Sequence, residues 1–338
     1  MRDSDAQLEA LEQLAHEALK AWDLDVAAVK LYSQSENTVY RIETTKHEVY
    51  ALRVHRADYH SLAALESEHL WTSALASAGL SVPQALQTRD GGAYVTVALP
   101  NHNQTHHAGL VKWIGGTTLS QNLRNNPGAA EVSEVYETLG GIIADFHLAS
   151  ARWSIPAGFK RHSWDAQGLM GEEPFWGRFW EVDAATDSEC DELLATRNQI
   201  LECLLTLSQD TDVYSMIHAD LNANNVLREG DRLTVIDFDD AGFGWHAFDL
   251  AVAVWDRIDT LNKTAQFDLA YTALLKGYQC RRPGSEDVLT QVPLFLVVRS
   301  LMLLRWMQDR PEAGYVPIIQ KVVQLALAQA RDLDYACG

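Results

Sequence analysis

Basic residues are scarce in this chain. Its 338 residues include 27 Lys and Arg against 46 Asp and Glu, which gives a formal net charge of -19. Such a deficit of positive charge argues against nonspecific binding to nucleic acid or to an anionic membrane. An acidic surface would instead tolerate or favour a cationic substrate.

Cysteine pairs and long apolar runs are also missing. The four cysteines are scattered with no CxxC pair, which argues against a zinc site and predicts free thiols in a reducing compartment: Cys190, Cys203, Cys280 and Cys337. No apolar run approaches the roughly 18 residues of a membrane-spanning helix, and the N-terminus is polar and acidic. We therefore expect a cytoplasmic protein with no membrane or nucleic-acid partner, and a homodimer is left open.

Patterning along the chain predicts two lobes, since 338 residues exceed most single compact domains. Up to about residue 112, alternating segments such as "TVYRIET", "EVYALRVHR", "AYVTVAL" and "GLVKWIGG" predict strands, with a helix near 62–78. Beyond Gly116 the periodicity is mostly helical, at 129–149, 190–208, 247–259, 265–280, 286–308 and 315–333. The expected fold is α+β, with a small antiparallel-sheet lobe (1–112) and a larger helical lobe (113–338).

One strand-like stretch interrupts the helical part. "NNVLREGDRLTVIDFDD" has two apolar runs around Gly230 and predicts a β-hairpin. In a turn centred on Gly230, Asn225 and Asp237 project from the same face at the same end. An amide oxygen and a carboxylate suit Mg²⁺, and Asp220, five residues before Asn225, is free to accept a proton.

The residues around this hairpin resemble a known family. "HADLNANN" followed by "IDF" is similar to the HxDxxxxN plus metal-Asp signature of the kinase-like small-molecule phosphotransferases, a superfamily that includes aminoglycoside phosphotransferases, choline kinase and type II homoserine kinase. The resemblance implies a bilobal protein-kinase-like fold and transfer of the ATP γ-phosphoryl group to a small-molecule hydroxyl. It assigns Asp220 to the acceptor hydroxyl and Asn225 and Asp237 to Mg²⁺, with His218 and Asp249 bracing the loop.

Two other readings stay open within the same fold: a bacterial Ser/Thr protein kinase and a nucleotide-binding pseudokinase or regulator. The second is prompted by Arg53, which stands where relatives carry the phosphate-binding lysine. The presence of Asp220, Asn225 and Asp237 argues against it. The chain has no GxxxxGK[ST] motif, which excludes a P-loop kinase.

The same resemblance extends over the small lobe. "SQSENTVYRIE" resembles the nucleotide loop, so Ser35 and Asn37 are assigned to phosphate oxygens. Helical periodicity leaves Glu66 and Glu68 as partners for Arg53, and counting back from "GLSVP" as in relatives favours Glu68. "LVKWIGGTTL" resembles the hinge that binds adenine, which assigns this role to the backbone from Val111 to Trp113.

Further expectations concern individual residues and the acceptor pocket. Ala219 replaces the glycine common in relatives, and the simpler inference is an ordinary φ. His147 is assigned a structural role, and the histidines at 102, 106 and 107 are expected to be solvated. Aromatics near 175–180 are candidates for the wall of the acceptor pocket. An acidic pocket would favour amines, whereas an Arg facing an Asp would favour an amino acid.

Overall fold

The computed structural model describes residues 2–34, 37–57, 59–98, 104–123, 127–255 and 264–333. These residues form two compact units. The first comprises Met1–Thr117, Ser154–Arg161 and Leu227–Ile236, and the second comprises Thr118–Trp153, His162–Val226 and Asp237–Gly338. The sequence-based boundary between residues 112 and 113 stays a prediction.

The first unit is built on a five-stranded antiparallel sheet in the order β1-β2-β3-β5-β4. Its elements up to residue 117 are α1 (Arg2–Leu19), β1 (Val26–Gln34), β2 (Thr38–Thr44), β3 (Val49–Val54), α2 (Leu62–Ser77), β4 (Tyr94–Ala98) and β5 (Thr105–Lys112). Strand β2 alternates between buried and half-buried residues, as expected for a sheet packed on one face. Tyr40, Ile42 and Leu52 on the buried face form one core with Leu14 and Trp22.

The rest of the chain is mainly helical. The helices are α3 (Ala129–Arg152), α4 (Ala166–Met170), α5 (Asp187–Thr206), α6 (His246–Trp255), α7 (Thr264–Arg281), α8 (Glu286–Leu289), α9 (Val292–Gln308) and α10 (Ile319–Asp332). The strands are β6 (Thr117–Thr118), β7 (Ser163–Trp164), β8 (Tyr214–Ile217), β9 (Val226–Glu229), β10 (Arg232–Val235) and β11 (Gly242–Trp245). They form two small sheets, in the orders β10-β9-β6 and β7-β11-β8.

The α+β composition and most predicted elements are confirmed, including the hairpin of β9 and β10. The single helix expected at 286–308 is wrong, because the chain breaks at Thr290 and Gln291 between α8 and α9. Pro293 at the start of α9 explains the break, since it has no N–H for the carbonyl four residues earlier.

The cysteine prediction needs one correction. Cys190 and Cys280 carry free thiols, but Cys203 on α5 is disulfide-bonded.

One helical stretch, Glu286–Gln308, is long and apolar enough to cross a membrane, but 67% of its window is buried within the protein. Phe295 of α9 packs against Trp245 and Phe248. The apolar side chains of this stretch thus form part of the core of the second unit.

Candidate active site

The loop after β8 is held by two consecutive backbone N–H groups. His218 and Ala219 donate to Oδ2 and Oδ1 of Asp249 on α6, at 3.1 and 2.6 Å. Ala219 has φ 62, in the left-handed region, so the expectation of an ordinary φ is wrong. The left-handed residue accompanies two adjacent N–H groups that both point at one carboxylate, an arrangement typical of a backbone anion nest.

Asp249 is fully buried and is supported from behind by a hydrogen-bonded network. His147 on α3 bonds Asp249 through Nε2 and Tyr278 on α7 through Nδ1. Arg282 donates to the hydroxyl of Tyr278 and to Nδ1 of His246, whose ring stacks on that of His147. This arrangement fits the structural role predicted for His147.

Burial governs the charges in this network. It lowers the pKa of His147 and of His246 well below the ordinary value, which keeps both rings neutral. Burial raises the pKa of Tyr278 to about 12, and it raises that of Asp249, while His218 and the two backbone donors act in the opposite direction. A neutral His147 can donate one proton to Asp249 and accept one from Tyr278, which satisfies both ring nitrogens.

Both carboxylate oxygens of Asp220 receive hydrogen bonds. Oδ2 accepts from the Asn225 amide nitrogen at 2.8 Å, and Oδ1 accepts from Nη2 of Arg299 on α9 at 3.1 Å. The Asn225 nitrogen also donates to the main-chain oxygen of Asp220 at 2.8 Å. Asp220 is half-buried, so its carboxylate is oriented from two sides and still accessible.

The oxygen atoms of Asn225 and Asp237, at the two ends of the hairpin, are suitable ligands for a divalent cation. Because Asn225 uses both N–H groups on Asp220, its carboxamide oxygen is left as an acceptor. Strands β9 and β10 are neighbours in one sheet. Asn225 directly precedes β9, and the exposed Asp237 follows β10. One amide and one carboxylate are the protein ligands that Mg²⁺ needs beside substrate phosphates. Among the described residues no cluster of three or more His, Cys, Asp or Glu forms a competing metal site.

The two remaining asparagines of the loop support its shape. Asn222 accepts from the backbone N–H of Asn224 at 2.9 Å and donates to the main-chain oxygen of Asp220. Asn224 accepts from the Ser120 hydroxyl at 2.6 Å. These contacts give Asn222 and Asn224, which have no predicted chemical role, a structural role in the loop.

Arg299 is the site residue that sequence reasoning missed. Arg299 belongs to no recognised motif, and it is a buried residue of the apolar helix α9. The available signal was a single arginine inside "LFLVVRSLML", because a permanent cation on a buried helix needs a partner.

In the first unit, strand register groups several predicted nucleotide residues on one face. Arg53 lies opposite Val39 on β2, and Ala51, two residues away on the same strand, lies opposite Val111 on β5. Cross-strand partners and alternate residues share a face. This face is opposite to the one that carries Leu52 into the core.

The other predicted nucleotide residues are placed as follows. Asn37 is buried, and its Oδ1 accepts from the backbone N–H of Arg56 at 3.1 Å. The Trp113 ring contacts Tyr32 edge-on and lies under the Arg41 guanidinium, while its backbone N–H donates to Val49. Ser35 lies outside the described residues. The nucleotide roles of these residues stay predictions.

Glu68 and Glu66 differ in their surroundings. Glu68 is buried on α2 and lies 3.5 Å from Nη1 of Arg161, whose side chain has no exposed surface. Glu66 is exposed. The pairing of Glu68 with Arg53 stays a prediction.

Residues 28–283 match the sequence model of the Phosphotransferase enzyme family. The chain belongs to this family. Homoserine kinase from Chelativorans sp. (strain BNC1) is 29% identical over 269 residues, 77% of this chain and 73% of that protein. The solved structure of a microcompartment-associated aminopropanol kinase is 30% identical with a TM-score of 0.74, and the alignment covers 96% of this chain and 95% of that one.

A third similarity concerns the fold. An amicoumacin kinase in complex with AMP-PNP, Ca²⁺ and Ami matches with a TM-score of 0.78 at 16% identity, over 99% of both chains. The protein-kinase-like α+β fold is thus confirmed. The chain is an ATP-dependent phosphotransferase for a hydroxyl group of a small molecule.

Proposed function

We propose that this kinase transfers the γ-phosphoryl group of Mg-ATP to the hydroxyl of an amino alcohol, an amino acid or an aminoglycoside-type molecule, with Asp220 as the catalytic carboxylate. The observation that carries this proposal is that Asn225 and Arg299 hold the Asp220 carboxylate from two sides, while both N–H groups of Asn225 are used on Asp220. A carboxylate held in this way can orient a hydroxyl and accept its proton.

Asn225 has two roles in this proposal. Its nitrogen fixes Asp220, and its oxygen would hold the cation together with Asp237. Bound Mg²⁺ would neutralise charge on the phosphate oxygens. The presence of AMP-PNP and Ca²⁺ in the amicoumacin kinase structure supports a nucleotide and a divalent cation here.

In the first unit, the face of Arg53 and Val111 is proposed to contact the nucleotide. Arg53 would contact phosphate, Val111 and Trp113 adenine, and Ser35 and Asn37 the phosphate loop. Arginine can grip phosphate with a planar fork, so replacement of the usual lysine is compatible with binding. Glu68 is proposed to pair with Arg53, in addition to its contact with Arg161.

We propose that the protein acts in the cytoplasm, where ATP is available. The disulfide at Cys203 weakens the cysteine argument for a reducing compartment. The expected absence of nucleic-acid and membrane partners rests on the net charge of -19. A homodimer stays open.

The decisive test compares Asp220→Asn with Asp231→Asn, an exposed carboxylate at the turn of the same hairpin. With a panel of alcohols, wild type and Asp231→Asn should release ADP in a Mg²⁺-dependent reaction that EDTA stops. We expect Asp220→Asn to lower kcat by about 100-fold or more, because the catalytic carboxylate is lost.

Thermal unfolding with and without AMP-PNP tests whether the variant still binds nucleotide. An Asp220→Asn enzyme that turns over at the wild-type rate would remove Asp220 from catalysis. Phosphorylation of protein substrates without any small alcohol would favour the protein-kinase alternative.

A further inference from the structure

Arg299 is a buried cation with incomplete hydrogen bonding. The residue is 7% exposed and its Nη2 donates to Oδ1 of Asp220 at 3.1 Å. Its Nε and Nη1 are buried and have no hydrogen-bond partner in the part of the chain that the structure describes. Because a guanidinium does not lose its proton in proteins, these donors stay both charged and unsatisfied.

Trp176 adds a third unsatisfied donor beside Arg299. The Arg299 guanidinium lies over the Trp176 ring, 5.1 Å from its centroid. The indole Nε1 of Trp176 is also buried without a partner among the described residues. All three groups are N–H donors, so a ligand that satisfies them must be a hydrogen-bond acceptor, and beside a cation an anionic acceptor is favoured.

This pair lies beside the proposed catalytic carboxylate, so a molecule whose hydroxyl reaches Asp220 also reaches Arg299. A planar guanidinium matches a carboxylate, whereas a ligand ammonium group placed against it would be repelled. The Trp306 ring lies 6.1 Å from the Trp176 ring between centroids.

We propose that Arg299 and Trp176 form a carboxylate subsite, and that the acceptor is a small hydroxy acid of the amino-acid type. This inference rests on the proposed function, since it places the acceptor hydroxyl at Asp220. The donors have no solvent-exposed surface. Trp176 is half-buried in the segment before α5.

The test uses pairs of alcohols that differ only in the carboxylate: L-homoserine with 3-aminopropan-1-ol, and L-threonine with 1-aminopropan-2-ol. For wild type we expect kcat/KM to be at least about tenfold higher for the carboxylate member of at least one pair, because the member without it leaves the buried donors unpaired. Equal values, or a preference for the amino alcohol in both pairs, would overturn the inference.

Variants identify the residues responsible. Trp176→Phe keeps an aromatic ring without the N–H, and should raise KM for the carboxylate member while kcat changes little. Arg299→Lys and Arg299→Met should bring the ratio within a pair towards one. Arg305→Met, on the same helix and paired with Asp309, is the matched control and should keep the wild-type ratio.

The outcomes separate this inference from the proposed function. If only amino alcohols or aminoglycosides are phosphorylated, the kinase activity stands and the carboxylate subsite is wrong. If no alcohol is phosphorylated, calorimetric binding of L-homoserine decides: binding that Arg299→Met abolishes supports the subsite, and no binding to wild type overturns it. Failure of AMP-PNP to stabilise the protein counts against the proposed function instead.

Discussion

Ala219 shows how a single residue fixes the loop that carries Asp220. Its positive φ is associated with the paired donation of two backbone N–H groups to Asp249. For an L-residue the left-handed region costs roughly 1–2 kcal/mol. This strained residue is buried and lies immediately before Asp220, the proposed catalytic residue.

Replacing Ala219 with glycine should therefore stabilise the protein. Relief of the left-handed conformation exceeds the entropic cost of glycine, so we expect a gain of up to about 1 kcal/mol in the free energy of unfolding. Urea denaturation measures it. Ala223→Gly, at a buried alanine of the same loop without a positive φ, should lose about 0.5–1 kcal/mol. A loss of similar size at Ala219 would show that the conformation is not strained.

At the same scale, prediction from sequence depended on whether a residue belonged to a motif. Asp220 and Asn225 were identified by spacing, and the structure joins them by a hydrogen bond. Arg299 was not identified, because its partner is 79 residues away in sequence and only folding brings them together. The φ of Ala219 could not be inferred, because it depends on Asp249 of another element.

Helices α3 and α7 illustrate the element scale, because glycines let them approach closely. A Cβ at Gly140 would collide with the carbonyl oxygen of Leu274, and one at Gly277 would collide with that of Glu137. This approach brings the hydroxyl of Tyr278 to within 2.9 Å of His147. The contact between two helices thus positions the network behind Asp249.

Neighbouring glycines on α3 give a matched test of this packing. Gly140→Ala should lower the free energy of unfolding by about 1–3 kcal/mol, since backbone must move. A Cβ at Gly141 would meet the Arg281 side chain at 3.5 Å, an ordinary contact, so Gly141→Ala should raise stability by about 0.5–1 kcal/mol through helix propensity. Thermal or urea unfolding compares them. Equal effects of the two substitutions would argue against a close helix contact.

Element prediction succeeded where the pattern was local. The hairpin was predicted from two apolar runs and a glycine, and both strands are present. The strand β1 was not predicted, because all nine of its residues are exposed or half-buried and the alternation is weak. The break between α8 and α9 was overlooked because the apolar pattern continues across it.

At the scale of the whole molecule, buried histidines connect stability to pH. His147 and His246 stay neutral in the folded state because their pKa values lie well below the ordinary 6.5. The unfolded chain binds these protons near 6.5, so stability falls as the pH drops below that value. Asp249, whose pKa is raised, acts in the opposite sense but can bind at most one proton against two.

We therefore expect the free energy of unfolding to be smaller at about pH 5.5 than at about pH 7.5, with a slope of up to about 1.4 kcal/mol per pH unit for each histidine. Urea titrations at the two pH values measure the difference. A His147→Gln variant should show a shallower dependence. Stability that is constant or increases on acidification would contradict the neutral state of both rings.

The fold class, the family and the type of reaction followed from the sequence because their signature is short and local. The proposed carboxylate subsite did not, since it depends on side chains from separate elements. The notion that an Arg facing an Asp favours an amino acid was available from chemistry alone. Arg299 could be identified as the arginine that faces Asp220 only from the folded structure.

Asp249 recognises main-chain N–H groups, which every amino acid except proline provides. The side chain at position 219 can therefore vary during evolution without loss of this anchor, within the limits of a positive φ. Proline differs from all other replacements at 218 and 219, because it removes the donor itself. Natural variants of this kinase should therefore carry various side chains at position 219 but should lack proline at 218 and 219.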